Sequence, residues 1–170
     1  VELYLASNDT SDWASIDTTN MTWSALHNSM STWSEGAFND GATAHPDYGW
    51  GTYNNVNHNV YGSKIFVLKL PDGSFKKVMI ISMLTSGDFN FKIADLDGSN
   101  EISKTINKMA FNTKNFVYYD IENDLVVDRE PAKGDWDIVW TRYYDVTIPY
   151  GVVGIQLNPA VKAAKASEVD

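Results

Sequence analysis

The chain has no cysteine. That excludes disulfide staples, thiolate metal ligands and thiol catalysis, so a packed core has to hold the fold. Cationic side chains are scarce, 13 Lys and Arg against 22 Asp and Glu, for a net charge of -9 at pH 7. Such a balance opposes phosphate backbones and anionic bilayers, and no nucleic acid is expected as a partner. No run of about 18 apolar residues occurs, and Val1-Glu2-Leu3-Tyr4 has no basic stretch leading into an apolar one. Neither membrane insertion nor a signal peptide is expected. What is plentiful is Asn, Ser and Thr with 6 Trp and 9 Tyr, a composition that suits a secreted or cell-surface β-protein. At 170 residues the expectation is one domain over 1–170, cut from a longer secreted protein or standing alone. A chain of this size buries about 70% of its unfolded surface without a metal or disulfide.

The most legible stretch is Lys64 to Met83, two β-rich runs around Pro71-Asp72-Gly73. Proline presets φ for the first turn position, Asp72 accepts the second, and Gly73 can take the left-handed conformation that closes the loop. Phe66, Leu68 and Leu70 then share one face of the first arm, and Ile65 and Val67 the other. Both faces are apolar, so both should be covered. A lone hairpin is marginal, and other strands must supply its neighbours.

Val1, Leu3 and Leu5 alternate with polar neighbours and predict a terminal strand. Trp23, Leu26, Met30 and Trp33 follow a three-to-four spacing that predicts one minor amphipathic helix over Asn20 to Trp33. Residues 35–63, rich in Gly, Asn and aromatics, read as a long irregular loop, and loops of that length usually carry function. Further hairpins are predicted from Phe89 to Met109 and from Phe116 to Val127, with strands at Trp136 to Tyr144 and Tyr150 to Leu157. The tail from Asn158 has little apolar content and is expected to fray or lead onward. Short, evenly spaced strands predict an all-β antiparallel sandwich or barrel-like sheet.

Two chemistries follow from the residues themselves. Tyr48, Trp50, Tyr53, Asn54, Asn55 and Asn57 combine rings that stack on the C–H faces of sugars with amides that take hydroxyls, a set suited to a carbohydrate-binding or protein-adhesion module. Asp95, Asp97, Ser99 and Glu101 place oxygens at alternating positions around Gly98, which a hard cation such as Ca²⁺ could use. Catalysis is not expected. Asp135 and Asp137 are paired carboxylates, but Arg129, Lys133 and Arg142 beside them favour surface ion pairing, and no phosphate loop, nucleophile elbow or two-histidine metal helix is present.

Three blocks resemble the HmuY-like haem-binding proteins, all-β haemophores that Gram-negative bacteria secrete or attach to their surface. They are Ile65 to Val78, Phe116 to Val127, and Trp136 to Val146 with its Trp-Asp pair followed by an aromatic, Arg and Tyr. The match is partial and permuted, with the hairpin first. The resemblance implies an all-β binding module with haem as cofactor. Its histidine ligands would fall on His58, upstream of the hairpin, and then on His45.

Overall fold

The computed structural model describes residues 1–29, 35–144, 147–148 and 151–162. They form antiparallel sheets with only short 3-10 turns of helix, as the strand spacing predicts. The chain divides into two compact units, Val1–Met109 and Ala110–Asp170. One domain over 1–170 is the expectation from length, which would put the Gly73 hairpin and the strand after Trp136 in the same body. In the structure those two segments belong to different units.

The first unit is one eight-stranded sheet: β1 (Glu2–Ser7), β2 (Ala25–Leu26), β3 (Gly51–Tyr53), β4 (Val60–Gly62), β5 (Ile65–Lys69), β6 (Phe75–Met83), β7 (Asp88–Asp95) and β8 (Ile102–Asn107). The β5–β6 hairpin is its centre. Leu70 N–H donates to Ser74 O at 2.8 Å, Gly73 N–H to Leu70 O at 3.0 Å, and Gly73 sits at φ 87°. Ile65, Phe66, Val67 and Leu68 are all buried, so both faces of β5 are covered. Burial of such side chains contributes about 1.5–3 kcal/mol each.

Strand β6 is long enough to serve three partners. Phe75 to Val78 pair with β5, Ser82 and Met83 pair with β4, and β7 runs along the opposite edge from Lys76 to Met83. The β3–β4 pair therefore continues the edge that β5 leaves. That approach is close: a Cβ on Gly62 would lie 1.7 Å from Ile80 O, so only glycine fits.

The helix expected over Asn20 to Trp33 does not form in the described residues. Ala25 and Leu26 pair instead with Tyr4 and Leu3 as β2, and Asn20 has φ 62°, outside the helical region. Ser, Thr and Asn contribute little helix propensity, while the free edge of β1 offers backbone partners at once. Met30 and Trp33 lie outside the described residues.

The second unit holds two ribbons, β9 (Tyr118–Asp120) with β10 (Leu125–Val127) and β11 (Ile138–Tyr144) with β12 (Gly151–Leu157). Buried side chains tie its loops. Glu130 accepts from Phe116 N–H at 2.7 Å, and Asn158 donates to both Lys133 O and Trp136 O at 2.7 Å. Asn158 itself is buried, and residues 163–170 of the predicted tail lie outside the described residues.

Candidate functional site

The predicted irregular stretch contains the β3–β4 hairpin, and its tip gathers most of the predicted ligand-binding side chains. The six-residue loop folds on Asn54. Asn54 N–H donates to Asn59 O at 2.8 Å, its carbonyl accepts from His58 N–H at 2.8 Å, and its Oδ1 accepts from Val56 N–H at 2.8 Å. His58 takes φ 60°, a conformation histidine tolerates better than most residues. Asn59 Oδ1 then accepts from Thr85 N–H at 3.0 Å, which anchors the loop to the turn after β6.

Around Tyr53 the aromatic side chains cluster. The His45 ring lies 5.0 Å from it, the His58 ring 5.9 Å, and Tyr48 stacks at 6.3 Å with 16° between planes. Tyr53 Oη is 2.5 Å from His58 Nδ1. Tyr61 lies on the other face of the ribbon, opposite Thr52, its hydroxyl accepting from Asn57 at 2.9 Å and Asn59 at 3.1 Å. Asn55 and Asn57 are exposed at the tip. The segment before β3 is equally fixed. Tyr53 N–H donates to Pro46 O at 2.9 Å, and the Asp47 carboxylate accepts from Thr43 and Gly49 N–H at 3.0 and 2.7 Å. Those two backbone donors, Thr43 first, hold the Asp47 carboxyl below its ordinary range.

Trp50 departs from the predicted set. It is 5% exposed and belongs to the core, so its ring cannot meet a ligand. Tyr61 is the aromatic exposed on β4. Its alternation with the buried Val60 was the available signal, since the two point to opposite faces of β4.

A porphyrin needs a wide apolar slot around its axial ligands. Both histidines reach one ring, which is a point in favour of shared work, but both are exposed, the Tyr53 hydroxyl already engages His58 Nδ1, and the chain neighbours of His58 are the polar Asn57 and Asn59. These described residues do not fit a haem.

The Asp95 to Glu101 segment is the β7–β8 turn, closed on itself. Asp95 accepts from Lys76 Nζ at 2.5 Å and from Asn100 at 2.6 Å, Ser99 Oγ donates to Asp97 at 2.6 Å, and Glu101 accepts from Trp13 Nε1 at 2.7 Å. The bond from Lys76, then that from Asn100, lowers the Asp95 pKa. Its oxygens are engaged by protein donors. No group of three or more His, Cys, Asp or Glu among the described residues could hold a metal ion. Asp135 and Asp137 are exposed and precede β11 instead of lying on it.

No family model, curated protein or solved structure matches the chain.

Proposed function

We propose that this protein is a non-enzymatic binding module, of the secreted or cell-surface kind, that takes neutral carbohydrate on the tip of the β3–β4 hairpin. One observation carries the reading: the stacked Tyr48 and Tyr53 rings stand beside an asparagine-rich hairpin loop that is already fixed by its own hydrogen bonds. Tyr48 and Tyr53 offer faces for sugar C–H groups, and Asn55 and Asn57 offer paired donors and acceptors for hydroxyls. A fixed loop loses little entropy on binding, which favours a shallow site. The net charge of -9 disfavours sialylated or sulfated glycans.

A neutral-glycan array followed by calorimetry tests the proposal. Binding is expected at micromolar to millimolar strength, lost in Tyr53→Ala and weakened in Asn57→Ala, with unchanged circular dichroism. Silence across neutral glycans at millimolar concentration rejects it. Because of the HmuY-like blocks, haemin is titrated alongside, and a Soret shift that disappears in His58→Ala would replace the glycan reading with the haem one.

A further inference from the structure

The β11–β12 ribbon is built inside out. Residues directly opposite in its register share a face, so Ile138 and Leu157, Trp140 and Ile155, and Arg142 and Val153 lie together on one side. That side is exposed: Trp140 is 68% accessible, Ile155 66% and Val153 64%, with Ile138 and Leu157 exposed beside them. The opposite face carries Thr141, Gly154 and Gln156 with Val139 and Val152, and all five are half-buried. A two-sided ribbon in water normally turns its apolar side inward.

We infer that this face is a self-association surface, on which a second copy of the chain packs its own β11–β12 ribbon. The area argues for it. The five apolar side chains expose on the order of 500 Å², so two copies meeting face to face would remove about 1,000 Å² from water, the lower bound for a specific interface. Its layout is self-complementary. Trp140 and Ile155 lie between the Ile138–Leu157 and Arg142–Val153 pairs, and the charge on the face, Arg142, is exposed one same-face pair in from the Tyr144–Gly151 end, with a side chain long enough to carry its guanidinium to solvent. Two such faces stack as the halves of a sandwich about 10 Å apart. The small area makes the dimer weak and reversible, and the net charge of -9 on each copy opposes it at long range. Salt therefore tightens it.

Analytical ultracentrifugation of the full chain, from low to high micromolar concentration, reads the outcome. A concentration-dependent dimer is expected that strengthens with added salt. Ile155→Asp and Trp140→Asp should each raise its dissociation constant more than about tenfold by burying an unpaired charge. Val56→Asp, at a 91% exposed site in the first unit, should leave it unchanged. Circular dichroism checks that each variant is folded, and Val153→Lys serves if either ribbon variant unfolds. A monomer throughout the range, or a dimer that persists in the folded ribbon variants, overturns the inference.

Discussion

Lys77→Met tests how the first unit is held together. Lys77 is completely buried, and its Nζ donates to Trp13 O at 2.7 Å and Leu96 O at 2.9 Å. It also lies 5.0 Å from the Trp13 ring centroid, with Lys92 4.1 Å from the same ring. One ammonium thus ties the Thr10–Ala14 turn to the β7–β8 turn. Methionine keeps the length and apolar stem but leaves two carbonyls without that donor, at about 1–3 kcal/mol each. Sparing the ammonium its burial offsets part of this. A net loss of about 3 kcal/mol follows, which lowers Tm by roughly 6–12 °C for a chain of this size. Lys76→Met is the internal control. Its side chain is partly exposed and pairs with Asp95, so its loss costs under about 1 kcal/mol. Scanning calorimetry of both variants gives the comparison, and hydrogen exchange should accelerate around residues 10–15 in Lys77→Met alone. Equal melting points for the two variants, or a more stable Lys77→Met, would refute the reasoning.

Other outcomes follow from the same geometry. Gly62→Ala forces a Cβ onto Ile80 O and should cost more than about 4 kcal/mol in denaturant titration, whereas Gly73→Ala meets open space and costs only about 1–2 kcal/mol for its φ of 87°. Asp95 has a depressed pKa, so its contribution is present above its ordinary value of 3.8 and is lost as pH falls through the lower folded value. Acid titration of the urea midpoint should therefore be flatter in Asp95→Asn. The Tyr4 phenol, bonded to Glu2 and buried, is pushed up to about 12. Its contribution persists up to the ordinary value of 10.0 and is lost as pH rises through about 12, and in Glu2→Gln its phenolate absorbance should appear closer to 10.0.

Much of the fold was legible because its signals are local. Pro71-Asp72-Gly73 sets a turn, the turn sets a register, and the alternation on either side agrees with it. The β7–β8 and β9–β10 hairpins were readable for the same reason, while β11 and β12 were readable as strands and their pairing was not. The failures are equally physical. Trp23 and Leu26 suggested a helix by spacing, but two backbone partners on β1 outweighed a weak propensity. Strands β3 and β4 are three residues each, too short for periodicity to register, and they are held by the long β6. Trp50 and Tyr53 looked alike as loop aromatics, yet one fills the core and the other remains partly accessible.

The sequence by itself determined strand content, the position of the main turns and the sign of the surface, because each depends on neighbours within a few residues or on composition alone. Tertiary structure decided which aromatics reach solvent, that Asp95 and Glu101 are occupied by Lys76 and Trp13, and that His45 and His58 meet at Tyr53. Those outcomes depend on which distant edges and faces come together, and burial and pairing are properties of that assembly.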